Sequence, residues 1–314
     1  MGRYPFREAC NRFLEEYKHY LRKSTWSERE RALRRLTKDF EALAAEGKIS
    51  SLEPSKMTAE DIKQYYVVIR ERGLGSKSLE HHLGFIHSLC MFCGNDCVEK
   101  ARHRFPMIRF FAPRKRLGTI PYDVIERILA EGLKKDTFDH SRDYAVVILS
   151  MCAGLRPIEL QHALRDHIDL ESGEIYIVET KGKGTYGEPR KIPIQPRGLP
   201  MIRKYVELRD KTKLGYDYLF PCRKHGRPIS TNTLRGDKDV VQEEIGYELT
   251  FQSCRRTYGQ WLIDDGVPTP TVSLLMGHSN TKTTEKYYAR QREEDAIKIA
   301  KKIWELRAKK EEAK

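Results

Sequence analysis

The chain contains no run of 18 or more apolar residues, so its sequence offers no helical membrane span. It also lacks the apolar core of a signal peptide. The opening reads MGRYPFREAC, and Phe6 stands where myristoylation requires Ser or Thr. Both absences lead to the expectation of a cytoplasmic protein with no membrane contact. Cysteine is sparse: the seven thiols are an odd number scattered through apolar surroundings, a pattern of reduced cysteines rather than of a disulfide framework. There is no internal repeat, and no carboxylate cluster of the kind that holds Mg²⁺, which argues against a two-metal nuclease. Acidic residues are also in deficit, with 45 Asp plus Glu against 58 Lys plus Arg, for a formal charge of +13. A surplus of this size points to a polyanionic partner.

What remains is a chain of 314 residues, 39% hydrophobic and 33% charged, long enough for two domains with substantial cores. Residues 1–104 read as successive amphipathic helices. Phe13, Tyr17 and Leu21, then Leu33, Leu36 and Phe40, then Ile62, Tyr65 and Ile69, then Leu79, Leu83 and Ile86 recur at helical spacing. Gly47, Pro54 and the Gly73-Leu74-Gly75-Ser76 turn separate them, and Thr58-Ala59-Glu60-Asp61 has the form of a capping box. The expectation is an all-α domain of about four helices. Within it, Cys90, Cys93 and Cys97, with His81, His82 and His87 upstream, raise the question of zinc. Core packing is the stronger reading, because the cysteines continue an apolar helix and no second C-x-x-C pair closes a tetrahedral site.

Residues 105–118 carry Pro106, Pro113 and the cluster Arg114, Lys115 and Arg116, and read as an extended basic linker. A second domain follows over 119–290. Helices are expected at 122–131 and 142–153, the latter ending at Gly154, with Pro157 opening another. Residues 174–180 and 191–195 form a β-hairpin with a Gly- and Lys-rich tip, KGKGTYGEPR. Helices resume at 202–209, 232–244, 252–264 and 271–275, and a last amphipathic helix occupies 292–313. The fold class is therefore mainly α with a small β-hairpin or sheet.

The second domain concentrates polar residues at element ends. Arg156 opens a helix, where its guanidinium and free backbone N–H groups would form an anion site. Lys181 and Lys183 occupy the hairpin tip. Gln252 and Arg255, three apart, share a helical face, with Arg256 about 100° away. The stretch TVSLLMGHSNTKTTEKYYAR then places His278 in a Gly-His turn nine residues before Tyr287. A phenol is a poor nucleophile at neutral pH and needs a positive field, which two guanidiniums and a histidine would supply to attack on a phosphodiester. Packing roles remain open for both Tyr287 and Tyr288; only one of two helical neighbours can face a phosphate.

Taken together, GLRPIEL, the lysine-bearing hairpin, the arginine helix, MGHS and TTEKYY resemble, in order and approximate spacing, the tyrosine recombinase or phage integrase family. The likeness runs over essentially the whole chain. It implies a helical core-binding domain that contacts DNA, followed by a catalytic domain. It further implies that Arg156 and Arg255 clamp the scissile phosphate, that Lys181 or Lys183 is the hairpin lysine, and that His278 is the histidine of the turn. Tyr287 then takes the place of the nucleophile. Lys181 lies eight residues past Gly173, and Lys183 stands in a Gly-Lys-Gly setting; both forms are similar to family members. Two positions depart from the pattern, Gln252 where His or Lys is usual and Arg256 where His is usual. Glutamine donates hydrogen bonds but does not shuttle protons near neutral pH.

The function implied is site-specific recombination through a 3′-phosphotyrosyl intermediate, with no cofactor, metal or ATP. Other readings are a catalytically silent DNA-binding protein on the same scaffold and a type IB-like topoisomerase. Double-stranded DNA is the expected partner, touched by Arg114, Lys115, Arg116 and Arg256, with self-association into a tetrameric synapse and a nucleoid-associated location. The helix beyond residue 290, with its apolar stripe of Ile297, Ala300, Ile303 and Trp304, is expected either to cover its own domain or to dock on a neighbouring protomer.

Overall fold

The computed structural model describes residues 5–108, 118–178, 188–212, 215–224 and 226–277. The chain divides into two compact units, residues 1–115 and 116–314.

The first unit contains α1 (Pro5–Tyr17), α2 (Lys23–Ala45), α3 (Ala59–Glu71), α4 (Ser76–Phe92) and α5 (Cys97–Arg104). This is one helix more than the sequence periodicity predicts. Helix α5 escapes that reading because it buries only Cys97, Val98 and Ala101 and ends in Arg102, His103 and Arg104, too little apolar surface for a visible stripe. The core is organised by stacked rings, Phe6 on Phe40 and Phe40 on Tyr65, each at 4.8 Å between centroids. Thr58 caps α3 with the reciprocal capping box expected from its sequence. Cys10, Cys90 and Cys97 are buried, and burial pushes the Cys10 thiol up to about 12. Among the described residues no three His, Cys, Asp or Glu side chains are grouped so as to hold a metal ion.

The second unit is built around α7 (Phe138–Cys152), in which every residue from Asp143 to Cys152 is buried. A helix apolar on all sides belongs at the centre of a bundle. Around it pack α6 (Tyr122–Leu133), α9 (Leu199–Lys211), α10 (Thr231–Ile245) and α11 (Phe251–Asp264). Helix α7 begins at Phe138 rather than Arg142, because the Thr137 side chain caps it by accepting from the His140 N–H. The short helix α8 (Pro157–Gln161) follows Gly154, whose φ of +65° reverses the chain as expected for that glycine. Strands β1 (Ile168–Asp169), β2 (Glu174–Ile177) and β3 (Arg190–Pro193) make an antiparallel sheet in that order. The hairpin is thus confirmed at its base, and β1, only two residues long, is an addition that strand periodicity could not reveal. Register pairs Ile175 with Ile192 and Ile177 with Arg190, so Arg190 shares a face with the buried Ile192. Helix α12 (Thr269–Met276) ends at Gly277 in a left-handed conformation. No described helix is long and apolar enough to cross a membrane.

At the start of α7, Arg142 forms a fork with Asp237 at 3.0 and 3.1 Å, with Asp143 at 3.8 Å from the same guanidinium. Burial first, and then the charge of Asp237, raise the Asp143 carboxyl to about 8. A carboxyl whose folded pKa lies above its unfolded value stays neutral in the native state while the unfolded chain ionises. Its contribution to stability is therefore intact only below the unfolded carboxylate value and declines from there as pH rises towards 8. The melting temperature of Asp143→Asn relative to the parent should rise steadily from about pH 3 to pH 8, measured by thermal unfolding followed by circular dichroism. Equal shifts at both pH values would contradict this account.

Candidate active site

The residues of interest gather where α8, α11, β3 and the end of α12 meet. Arg156 is the residue before α8, with extended backbone, and Pro157 takes the first helical position. Its backbone N–H is not free for an anion, in contrast to the sequence expectation. It donates to Glu159 Oε2 at 2.9 Å, while Arg156 Nη1 donates to Oε1 at 2.9 Å. Glu159 is thus both the reciprocal cap of α8 and the anchor of the Arg156 side chain. A helix of five residues closed this way presents no open N-terminus; the guanidinium is what remains to meet a ligand.

Glu159 is fully buried and collects two more arginines. Arg190 addresses both carboxylate oxygens, Nη1 to Oε1 at 3.0 Å and Nη2 to Oε2 at 3.1 Å, and Arg255 Nη1 lies 3.8 Å from Oε2. Burial alone would raise its pKa. The opposing charges, Arg190 foremost and then Arg255 and Arg156, hold it below the usual carboxylate range.

The same three arginines cap the end of α12. Arg190 Nε donates to the Leu275 carbonyl at 2.9 Å, Arg255 Nη2 to that of Met276, and Arg156 Nη2 to that of Gly277 at 2.8 Å. Arg255 Nη1 also donates to the Gly154 carbonyl. Three consecutive carbonyls at a helix C-terminus, where the backbone dipole favours cations, are therefore satisfied by three different guanidiniums. Two glycines make the approach possible. A Cβ on Gly277 would stand 2.7 Å from Arg190 Cζ, and one on Gly154 would stand 2.5 Å from Tyr258 Cδ1.

The structure brings Arg156 and Arg255 together, as the sequence predicts. Their side chains keep 21% and 10% of their exposure, and Arg156 uses two of its five N–H donors among the described residues. Gln252, near the start of α11, is exposed, while Arg256 is buried in the same helix. Burial of Arg256 runs against its expected place on a DNA-contacting surface; although about 100° around the helix from Arg255, it lies in a stretch, residues 254–259, that is buried on every side. Tyr287, His278, Lys181, Lys183, Arg114, Lys115 and Arg116 lie outside the described residues, as does the expected C-terminal helix.

Sequence reasoning misses Arg190. The signal was present, since strand alternation puts residue 190 on the side of Ile192 and Ile194, and a charge on the apolar side of a strand demands a buried partner.

The energetic consequence is direct. Removing the carboxylate leaves three guanidiniums facing one another without a counter-charge, so Glu159→Ala should cost about 3–5 kcal/mol of stability. Because its folded pKa is depressed, the stabilisation by Glu159 is present above the unfolded carboxylate value and is lost as pH falls through the folded one. Denaturant unfolding at pH 7 and at progressively lower pH measures both effects. A parent and Glu159→Ala pair whose stability gap does not narrow on acidification would refute this assignment of the charge.

The sequence of residues 119–294 matches the Phage integrase family. The tyrosine recombinase XerD of Listeria monocytogenes serotype 4b (strain F2365) is 25% identical over 245 residues, covering 75% of this chain and 79% of the relative. Tyrosine recombinase XerC of Escherichia coli O139:H28 is 26% identical over 246 residues, covering 78% and 79%. Among solved structures, the Tn1549 transposon integrase in complex with a circular intermediate DNA superposes with a TM-score of 0.69 at 18% identity, covering 94% of this chain and 99% of that one. A lambda integrase dimer bound to a core site gives 0.65 at 13% identity, covering 88% and 96%. With the family match spanning more than half its length and the same fold in both solved structures, this chain belongs to the phage integrase family of tyrosine recombinases.

Proposed function

We propose that this chain is a site-specific DNA recombinase that cuts and rejoins strands through a covalent 3′-phosphotyrosyl link formed by Tyr287. The observation that carries the reading is the paired placement of Arg156 and Arg255, held from behind by Glu159 and by the carbonyls of Gly154, Met276 and Gly277. Two guanidiniums fixed in this way suit the non-bridging oxygens of a phosphodiester, whose negative charge grows in the transition state.

In the first step the Tyr287 oxygen attacks phosphorus and gives up its proton to a water molecule, the new P–O bond forms, and the bond to the 5′ oxygen breaks. The leaving oxygen takes a proton from the hairpin lysine, Lys181 or Lys183. His278, next to Gly277, adds a hydrogen bond to the phosphate. Rejoining reverses these steps with a 5′ hydroxyl as nucleophile. The phosphotyrosyl bond conserves the energy of the broken one, so neither ATP nor a metal is required. Gln252, exposed at the start of the Arg255 helix, serves as a neutral hydrogen-bond donor rather than a proton shuttle.

Residues 1–104 are read as the core-binding DNA clamp, 105–118 as a basic linker that includes Arg114, Lys115 and Arg116, and 119–290 as the catalytic domain. A lambda integrase tetramer bound to a Holliday junction has this fold at 14% identity and a TM-score of 0.59. That assembly supports reading this chain, too, as one that works on DNA as a multimer, with residues 291–314 as the contact between protomers.

Incubation with a nicked duplex carrying the recombination site should yield a protein–DNA adduct that survives SDS. Tyr287→Phe should bind the same duplex with unchanged affinity and give none. Binding should weaken linearly in log affinity against log salt, as expected where phosphate contacts release counterions. Tight binding without any adduct from the parent chain would reject the enzyme in favour of a silent DNA-binding protein, and an adduct from Tyr287→Phe would move the nucleophile to Tyr288.

A further inference from the structure

Resting on the reading of this site as a strand-cleavage centre, we infer that Arg190 is a positioning residue for the reaction. It acts by locking the hairpin strand β3, the Arg156 helix α8 and the turn after α12 into one geometry. Its Nη atoms hold both oxygens of Glu159, its Nε holds the Leu275 carbonyl, and its guanidinium lies flat enough on Gly277 to exclude a Cβ there. Its own backbone is the first residue of β3, paired with Ile177 on the strand that leads into the lysine-bearing tip.

These contacts use both faces of the problem that the cleavage site poses. The hairpin lysine is joined to the chain through β2 and β3, and His278 through Gly277, and one guanidinium ties β3 to the end of α12, the two points from which those segments continue. It also satisfies the charge of Glu159. With Arg190 in place the carboxylate does not draw Arg156 and Arg255 more tightly onto itself, and both stay where the backbone carbonyls put them. Arg190 itself is 9% exposed and spends three of its five N–H donors on protein groups among the described residues, so it works through its neighbours and not on the phosphate.

The fork is the requirement, not the charge. Lysine carries the charge on one ammonium and cannot hold two carboxylate oxygens and a carbonyl in a plane. The test uses the full chain with a nicked duplex at saturating protein, reading the first-order rate of adduct formation beside the affinity for the duplex and the thermal midpoint. Arg190→Lys should slow adduct formation by about tenfold or more, as a displacement of reacting groups by a fraction of an ångström does, with affinity unchanged. Arg190→Gln, whose one amide nitrogen cannot take the place of three guanidinium nitrogens, should produce the same separation of rate from affinity.

A sulfur in place of the 5′ bridging oxygen needs no proton on departure, and it should restore most of the lost rate to Arg190→Lys, because the hairpin acid is then dispensable. Cleavage by Arg190→Lys at the parental rate would overturn the inference. So would parallel loss of rate, affinity and thermal midpoint in both variants, since that is what a merely structural role gives, or a sulfur substrate that rescues nothing. If the parent chain forms no adduct, the proposed function fails, and the positioning role with it. If the parent forms one and the variants match it, only the role of Arg190 is lost.

Discussion

The second unit depends on one buried carboxylate. Glu159 has no solvent exposure, and three guanidiniums surround it, those of Arg156, Arg190 and Arg255. Burying an ion costs several kcal/mol even after relaxation, and an arrangement of three cations and one anion would be untenable if the carboxylate were the sole compensation. The carbonyls of Leu275, Met276 and Gly277 supply the remainder, since each offers a lone pair at the negative end of a helix. Hydrogen bonds of this kind, made to a charged group, are each stronger than a neutral pair by roughly twofold. Between Glu159 and the three guanidiniums the balance is three positive charges against one negative, beside the partly exposed Arg156. In the proposed function, a phosphate brought to that place would add negative charge where the guanidiniums outnumber the carboxylate.

The end of α12 gains as much from the arrangement as the arginines do. A helix of eight residues has half of its carbonyls without an internal partner, and its position would ordinarily be fixed by packing alone. Here each of the final carbonyls is tied to a different element: Leu275 to β3, Met276 to α11 and Gly277 to the residue before α8. The chain leaves this junction through a left-handed glycine whose missing side chain admits the Arg190 guanidinium. Conformation and close contact thus make the same demand at Gly277, and either one alone would disfavour a larger residue.

Much of this was legible in the sequence because the residues involved announce themselves locally. Gly154 and Pro157 punctuate the chain around Arg156, and residues 252–264 read as the helix that carries Arg255. The two-domain division is written in the shift from repeated helical stripes to the mixed pattern after residue 118. What could not be read was the sharing of partners. Nothing in GLRPIEL tells that Glu159 serves three arginines, because two of them come from positions 31 and 96 residues further on, and pairing over such distances is a property of the fold. Helix α5 and strand β1 were invisible for the opposite reason. Each is too short to build a periodic signal, and each exists because a larger neighbour offers it a surface, α3 and α4 for the helix and β2 for the strand.

In the proposed mechanism, the way Arg156 and Arg255 are held bears on how the reaction is controlled. Both take their places through bonds to the protein's own backbone and to Glu159. A site assembled in advance lowers the barrier without reorganising as charge develops, and that preorganisation is the largest single contribution a protein makes to reactions of this class. It also removes one means of regulation. If the phosphate clamp is always set, binding of DNA cannot be what builds it, and restraint on premature cutting has to come from groups that the clamp does not hold. In the proposed mechanism these are the nucleophile and the proton donor, each carried by its own segment and each joined to the clamp through a single junction, Gly277 for one and β3 for the other. Arg190 touches both junctions, so the one guanidinium that sequence reasoning overlooked stands where the fixed half of the site meets the half that must be brought to it.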